Sequence, residues 1–361
     1  MVVPLVALGL ALALVAVLQH WNTNEYALTP GDATPVAPLV KIQGLKTDPH
    51  HDKIMLTDVY LTSLSAWQWL TMHFQSNVEF VHSSDLVEPG IPTDELGPQG
   101  FLEMSDSKQA AEVAALRALG WKLADIPTGA RVTGVIAPSP ARTARIHVAD
   151  EIVGIDGATV RSRCALIGAV DKLAPGDTVH LSVARAHIGA KGVITWAGPR
   201  TISMKTAAAP GDLGPTGCAG VQGSDRSWLG LSLEDGVRYA FPGTVSINTS
   251  NIGGPSAGLA MTLTLIDQLS VGSLTGHWVV AATGTVDANG NVGDVGGVAE
   301  KTIAVQRAGA EIFIVPQVEV ATALGVAHSG LRVIGVTTVR QALFDLRALG
   351  GDKPVALTTP R

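Results

Sequence analysis

Two glycine-flanked segments in the C-terminal part of the chain restrict its fold more than any other feature. They are Gly-Gly-Pro-Ser-Ala-Gly at residues 253–258 and Gly-Gly-Val-Ala-Glu-Lys at residues 296–301. Glycine reaches backbone angles that are closed to other residues, so each pair allows a sharp turn into a helix. The chain is therefore expected to alternate strands and helices here, with a serine on one turn and a lysine on the helix after the other.

Composition excludes several classes of protein. The 361 residues carry a net charge of −6 and no block of lysine or arginine, which argues against a nucleic-acid partner. Cys164 and Cys218 lack metal-ligand spacing. Two readings stay open for them, a disulfide in an oxidising compartment and two separate buried thiols. No metal site is predicted, because the N-terminal histidines are scattered, at His50, His51, His73 and His82. No cofactor is predicted either.

The N-terminus is apolar and predicts a membrane segment. Residues 2–18 contain no charged side chain, and the apolar stretch continues to Trp21. Residues 1–21 are long enough for a single transmembrane anchor, which implies the cytoplasmic membrane as a partner. A cleaved signal peptide is the alternative, with Ala11 and Ala13 as a small-x-small site. The first basic side chain, Lys41, follows the apolar segment, and basic residues weakly favour the cytoplasmic side for the segment that carries them. Large domains cross the membrane largely regardless of such charges, so the catalytic body is nevertheless expected outside the cytoplasm.

Residues 22–121 give mixed signals and are predicted to form a stalk and an N-terminal mixed region. The turn-rich sequence Thr29–Asp32 indicates the stalk. The rest of the region is predicted to contain a strand at Ile54–Tyr60, a short helix at Ser63–Phe74, a loop at Val87–Pro98 and an amphipathic helix at Ser105–Leu119.

Residues 122–206 have a β-rich pattern that resembles a PDZ domain. Strands are predicted at Ala130–Ile136, Glu151–Ile155 and Thr178–Ala184, with one helix at Arg163–Lys172. The resemblance implies that an extended peptide adds to a sheet edge and that backbone amides bind its carboxylate. The sequence does not locate the carboxylate loop, and a generic small β-domain is the alternative. Residues 207–225, rich in Pro, Gly and Ala, are predicted to be a linker.

Residues 226–350 are predicted to form a compact α/β domain. Its strands are expected at Thr244–Asn248, Val279–Val286, Ile312–Val315 and Leu331–Val336, and its helices at Pro255–Leu269, Val298–Ala308 and Thr338–Leu349.

Ser256 has the surroundings of a nucleophile. Pro255 suits the first position of a helix, so Ser256 is expected at a helix N-terminus, where backbone amides favour an oxyanion. Two alternatives remain for this segment. It also fits the G-x-S-x-G elbow of α/β-hydrolases, which needs a later histidine such as His277 or His328, and it can be a merely structural turn.

Lys301 is predicted to point inward. It shares a helix face with Val298, Ala304 and Val305, while Glu300 and Arg307 are expected on the outer surface. A lysine acts as a base only when it is neutral, and burial lowers its pKa toward that state. The alternative is a lysine along the edge of the core with its amine in water.

Together these motifs resemble the Lon-type serine–lysine protease domain. The similar segments are residues 253–258, Ala-Thr-Gly-Thr-Val at 282–286, Gly-Asn-Val-Gly at 290–293 and residues 296–301. The resemblance implies that Ser256 is the nucleophile, Lys301 the general base and Thr283 the hydroxyl that supports the lysine. The turn around the serine, which holds the oxyanion, consists of Gly253, Gly254, Pro255, Ala257 and Gly258.

The whole chain resembles the membrane-anchored, PDZ-containing Lon-like proteases of bacterial envelopes. The expected fold is an α/β (α+β) Lon-type protease domain, preceded by a small mainly-β PDZ-like domain and an N-terminal transmembrane helix. No G-x-x-x-x-G-K-[ST] motif is present, so the expected activity is ATP-independent cleavage of extended protein or peptide substrates. Gly253 stands where many Lon enzymes have an acidic residue. The alternative is a peptide-binding scaffold whose protease domain is inactive or only processes itself, and a homo-oligomer is compatible with either reading.

Overall fold

The computed structural model describes residues 2–48, 53–75, 77–189, 193–211, 216–219 and 226–358. Its helices are α1 (Val2–His20), α2 (Ala66–Met72), α3 (Ser83–Leu86), α4 (Leu96–Ala118), α5 (Pro140–Thr143), α6 (Arg163–Val170), α7 (Gly258–Leu269), α8 (Val298–Arg307), α9 (Val320–Val326) and α10 (Val339–Ala348). Short 3₁₀ turns occur at Ala37–Leu39, Thr93–Glu95 and Gln317–Glu319.

The strands range from two to fourteen residues. They are β1 (Asn22–Pro35), β2 (Val40–Gln43), β3 (Ile54–Ser65), β4 (Glu79–His82), β5 (Asp125–Val135), β6 (Glu151–Ile155), β7 (Ala158–Thr159), β8 (Thr178–Ala184), β9 (Ala186–Ile188), β10 (Ile194–Trp196), β11 (Arg200–Lys205), β12 (Ala207–Ala208), β13 (Ser227–Trp228), β14 (Leu231–Tyr239), β15 (Thr244–Ile247), β16 (Val280–Ala282), β17 (Thr285–Val286), β18 (Val292–Gly293), β19 (Ile312–Pro316) and β20 (Arg332–Val336).

The larger sheet has helices on both of its faces. Its strand order is β20-β19-β16-β3-β1-β4; β3, β16, β19 and β20 are parallel, and β1 and β4 complete it in antiparallel pairing. Successive side chains of a strand point to opposite faces. Accordingly, Ile54 and Leu56 pack with α4, α7 and α10, whereas Met55 packs with α8 and α9. Every residue of α7, the helix that follows the serine, is buried.

The predicted stalk is wrong, because residues 22–35 form strand β1 inside the larger sheet. The turn-forming Pro30-Gly31 pair falls at a register shift between Pro30 and Ala33 in the β1–β3 ladder. An irregularity of this kind accommodates proline and glycine within a strand. The sequence pattern was that of a turn, but the local feature is a bulge.

Helix α4 begins earlier than predicted. It starts at Leu96 rather than Ser105, and it replaces the end of the loop predicted at Val87–Pro98. Pro98 lies in the first turn of the helix, where a backbone N–H has no helical partner to lose. Pro98, a residue type that usually interrupts helices, is therefore tolerated at this position.

The smaller sheet is antiparallel and includes a strand from outside the predicted PDZ boundaries. Its order is β11-β8-β6-β5-β14, with β7 paired to β6. Strand β14 was expected in the domain spanning 226–350, but it pairs along its length with β5. The chain thus completes the smaller sheet between the two halves of the larger one, since β1, β3 and β4 precede it and β16, β19 and β20 follow.

The first residues of the predicted linker form strand β12, which pairs with β13 in a separate two-stranded sheet. Residues 207–208 pair with Ser227–Trp228, whereas residues 212–215 and 220–225 of the linker lie outside the described residues. Cys218 forms a disulfide with Cys164 at the start of α6, with a Cα–Cα distance of 5.4 Å. Of the two alternatives for the cysteines, the structure therefore shows the disulfide.

The N-terminal segment is helical, but it does not support the predicted anchor at residues 1–21. Counting only the residues that the structure describes, no helix combines the length and the apolarity needed to cross a membrane.

Candidate active site

Ser256 lies on a tight turn between β15 and α7, which we call the serine turn (residues 253–257). Gly254 adopts a φ of +83°, the left-handed conformation that favours glycine. The helix begins at Gly258 with Ala257 as its N-cap, three residues later than predicted, so Pro255 is not its first residue. Ser256 is half-buried and precedes the helix instead of belonging to it.

Hydrogen bonds from strand β16 and the residues after it fix the backbone of Ser256. Its carbonyl oxygen accepts a bond from the Thr283 hydroxyl at 3.2 Å and another from the Gly284 amide at 2.9 Å. The Gly284 carbonyl in turn accepts the Leu259 amide at 3.0 Å. Thr283 is fully buried and Ser256 is half-buried, so the bond between them is partly shielded from water.

Some backbone amides in and directly after the serine turn have a hydrogen-bond acceptor, and others do not. The Gly258 amide donates to the Pro255 carbonyl and the Leu259 amide to the Gly284 carbonyl. Among the described residues, the amides of Gly253, Ser256 and Ala257 have no acceptor, and those of Ser256 and Ala257 lie beside the serine hydroxyl. Two free amides flanking a hydroxyl are donors that an oxyanion can use.

Lys301 points inward, as predicted, and is only 3% exposed. Val298, Ala304 and Val305 on the same face are also buried. Burial lowers the pKa of the Lys301 amine to about 8, although the negative charges of Asp58, Glu319 and Glu300 oppose this shift. A lysine in this condition is partly neutral near physiological pH, as a base requires.

Glu300 contradicts the prediction that it faces solvent, since it is 4% exposed. Helix α8 contacts β1 and β3 on one side and α9 on another, so a residue beside the inward face is covered too. Burial raises the pKa of the Glu300 carboxyl, and the negative charge of Glu79 adds to the effect. One Glu300 oxygen, Oε2, has no hydrogen-bond partner within the described part of the chain.

Thr283 and Lys301 meet the larger sheet at the carboxyl ends of its parallel strands. Thr283 directly follows β16, whose residue Ala281 pairs with Met55 of the parallel strand β3. Gly297, at the start of α8, lies so close to β3 that a β-carbon there would be 2.9 Å from Val59 Cγ1. The carboxyl edge of parallel strands is where α/β folds commonly bind ligands.

Asp58 is an acidic neighbour of Lys301 that the sequence did not identify. Its carboxylate accepts the Asp32 amide at 2.8 Å, and the Tyr60 hydroxyl donates to the Asp32 carboxylate at 2.6 Å. Burial raises the pKa of the Asp58 carboxyl, and the charge of Lys301 acts in the opposite direction. An aspartate within a strand carries no sequence signal for this position.

The structure does not show the predicted contact between the Ser256 hydroxyl and the Lys301 amine. Among the described residues, the Lys301 amine has neither a hydrogen bond to Ser256 or Thr283 nor an ion pair. The Thr283 hydroxyl donates to the Ser256 carbonyl instead, which leaves its oxygen able to accept a bond. Catalytic contacts of a free enzyme are often long and shorten when substrate binds.

The described residues contain no cluster of three histidine, cysteine or acidic side chains suited to a metal. His50 and His51 lie outside them.

A groove of about 610 Å³ lies beside the smaller sheet, between α6 and β14. One wall is apolar, with Leu166, Ile167 and Val170 from α6. The other wall is the segment from Trp228 to Leu233, which contains Gly230 at a φ of +82°. The strand order ends at β14, so the strand along the groove is a sheet edge.

Two family models match the chain. Residues 117–191 match the PDZ domain, and residues 249–343 match the Lon protease (S16) C-terminal proteolytic domain. Both resemblances drawn from the sequence are thus confirmed. The chain is a PDZ-containing protein with a Lon-type protease domain.

Similar solved structures include PDZ domains from Listeria. The PDZ domain of the SdrC-like protein of Listeria monocytogenes is 21% identical, with 29% of this chain and 87% of that chain covered and a TM-score of 0.20. The corresponding domain from Listeria innocua is also 21% identical, with coverages of 29% and 92% and a TM-score of 0.21. The solution structure of the second domain of a listeria protein is 21% identical, with 30% of this chain and 84% of that chain covered and a TM-score of 0.21.

Proposed function

We propose that the chain is an ATP-independent serine endopeptidase in which Ser256 is the nucleophile and Lys301 the general base. The observation that carries the proposal is the burial of the Lys301 amine, which lowers its pKa to about 8. The free amides of Ser256 and Ala257 support it, because they supply donors beside the attacking hydroxyl.

Each half of the reaction passes one proton through the same Lys301 amine, which first accepts it and then donates it. Ser256 Oγ attacks the peptide carbonyl carbon while neutral Lys301 Nζ takes the hydroxyl proton, and the amides of Ser256 and Ala257 bind the oxyanion. Lys301 then protonates the leaving amine, which departs from a Ser256 ester. Water attacks this ester, Lys301 accepts its proton, and the acid product leaves as Ser256 regains its hydrogen.

Peptide cleavage by the full chain, compared with the Ser256→Ala and Lys301→Ala variants, tests the assignment. Both variants are expected to lose activity by several orders of magnitude, since neither half of the pair works alone. Wild-type turnover in either variant would refute the proposal. A fluorophosphonate probe separates it from the scaffold alternative, because only an activated Ser256 is labelled.

We also propose that the groove between α6 and β14 binds extended substrate tails. A peptide strand can add to the free edge of β14 and place its apolar side chains against Leu166 and Ile167. The turn before β14, at Leu229-Gly230, offers backbone amides near the groove end, and the cation of Arg163 lines the same groove. These features favour a free carboxylate next to an apolar terminal residue.

Fluorescence anisotropy with a labelled peptide ending in an apolar residue measures this binding. Amidation of its carboxyl terminus, or an Ile167→Asp change in the groove, is expected to weaken binding at least tenfold. Ile126→Asp is the matched control, because Ile126 is 47% exposed on β5 and does not line the groove. Equal affinities for Ile167→Asp and Ile126→Asp would place peptide binding elsewhere.

An envelope location is part of the proposal, with substrates in the same compartment. The disulfide between Cys164 and Cys218 supports it, because such bonds persist mainly in oxidising compartments. Reporter fusions after residue 361 test it. Activity of a cytoplasm-specific reporter would exclude this topology.

A further inference from the structure

The serine turn is held in place by helix α4, which lies outside the residues matched to the protease domain. The Gly254 amide donates to the Gly100 carbonyl at 2.8 Å. The Ser107 hydroxyl donates to the Pro255 carbonyl at 2.9 Å, across 148 positions of sequence. The approach is close, since a β-carbon on Gly258 would lie 3.1 Å from Ser107 Oγ.

The bond made by Ser107 is unusual for a serine inside a helix. Such hydroxyls commonly bond to the carbonyl four residues earlier in the same helix or point to solvent. Ser107 is 5% exposed and donates to another segment instead. A buried hydroxyl directed at one backbone oxygen indicates a specific positioning role.

That role follows from the planarity of the peptide bond. The carbonyl of Pro255 and the amide of Ser256 belong to one trans peptide unit, so they point in opposite directions. A bond that fixes the Pro255 carbonyl toward α4 therefore turns the Ser256 amide away from α4. Within the described residues, this amide is one of those in the serine turn that have no acceptor.

We infer that Ser107 is a positioning residue for the oxyanion site, because it fixes the peptide plane that carries the Ser256 amide. The inference rests on the proposed function and adds to it a residue from a different part of the chain. Ser107 does not touch the substrate; it acts through the Pro255 carbonyl.

The placement of Ser107 depends in turn on the smaller sheet. Asp106, its neighbour on α4, pairs with the buried guanidinium of Arg131 on β5. The Gln109 side-chain amide donates to the Val237 carbonyl of β14 at 3.0 Å. One helix thus contacts both the serine turn and the strand along the groove.

Ser107→Thr and Ser107→Val form a matched pair for the test. Their side chains have nearly the same shape, so any packing cost is common to both, and only threonine keeps the hydroxyl. With a peptide substrate, we expect kcat of Ser107→Val to be ten- to a hundredfold below that of Ser107→Thr, with KM within twofold, since a mispositioned donor affects the transition state more than substrate binding. The same difference is expected in the rate of fluorophosphonate labelling.

Ser105→Ala on the same helix is the control for effects on helix stability. The inference would be overturned if kcat of Ser107→Val were less than threefold below that of Ser107→Thr. It would also be overturned if the two variants differed in KM alone. Ser256→Ala in the same assay separates the two proposals. If Ser256→Ala stays active, the proposed function fails. If Ser256→Ala is inactive but Ser107→Thr and Ser107→Val have similar kcat values, only the inference about Ser107 fails.

Discussion

The Thr283 hydroxyl donates a hydrogen bond to the Ser256 carbonyl oxygen at 3.2 Å, joining the end of β16 to the residue proposed as nucleophile. Thr283→Val keeps the buried shape but removes this bond. Because one hydrogen bond is worth about 1 to 1.5 kcal/mol, kcat is expected to fall roughly tenfold. Steady-state kinetics on a peptide measure the change, and Thr283→Ser is expected to retain most of the activity. Equal rates for Thr283→Val and wild type would contradict this role.

The pH dependence of cleavage should report the lysine. Burial lowers the pKa of Lys301 to about 8, so kcat/KM is expected to rise with pH through this value as the amine becomes neutral. Asp58 stabilises the protonated amine, so Asp58→Asn is expected to move the rise to lower pH. Asp85→Asn, an exposed change on α3, serves as the control. A rise at the same pH in all three proteins would show that Asp58 does not act on the base.

Burial of Lys301 has a cost in stability that depends on pH. The pKa is about 8 in the folded chain against 10.5 for a free lysine. The penalty is therefore fully present below pH 8, at roughly 3 kcal/mol, and disappears as pH rises above 10.5. Lys301→Met is expected to raise the free energy of unfolding by up to this amount at pH 7 and by less at pH 10, as measured by urea denaturation. The exposed Lys122→Met change should have little effect at either pH.

The Cys164–Cys218 bond closes a loop with a sequence separation of 54. A cross-link of this length stabilises the folded state by about 4 kcal/mol when its effect on the unfolded chain is counted. Peptide mapping without reductant is expected to recover the linked pair. Cys164→Ser, Cys218→Ser and the double variant should then lose similar stability, because each removes the same bond. Additive losses in the double variant would argue for two independent thiols.

The sequence identified those elements whose residues follow a regular period. Helix α8 and strands β6 and β8 match their predicted positions closely, because alternating or helical spacing of apolar residues sets them locally. The inward orientation of Lys301 follows from the same spacing. The four segments that carry the resemblance to Lon-type proteases are also local in sequence, and the residues matched by a family model include them.

Contacts between distant segments were not predictable in this way. Strand β1 was missed because Pro30 and Gly31 indicate a turn unless the partner strand is known. Ser107 gave no signal, since the value of its hydroxyl depends on a carbonyl 148 positions away. Glu300 was placed on the surface because one helical period describes one buried face, whereas α8 is covered on two sides.

The nested order of the two sheets also determines how the chain folds during synthesis. The ribosome releases β1, β3 and β4 first, but β16, the parallel partner of β3, emerges with β19 and β20 only after the whole smaller sheet. The smaller sheet can close as soon as β14 is released, and its closure brings the flanking segments of the larger sheet together. Closing this long loop in advance lowers the entropy cost of the distant pairing. The PDZ domain is thus expected to act as an internal folding aid for the domain that surrounds it.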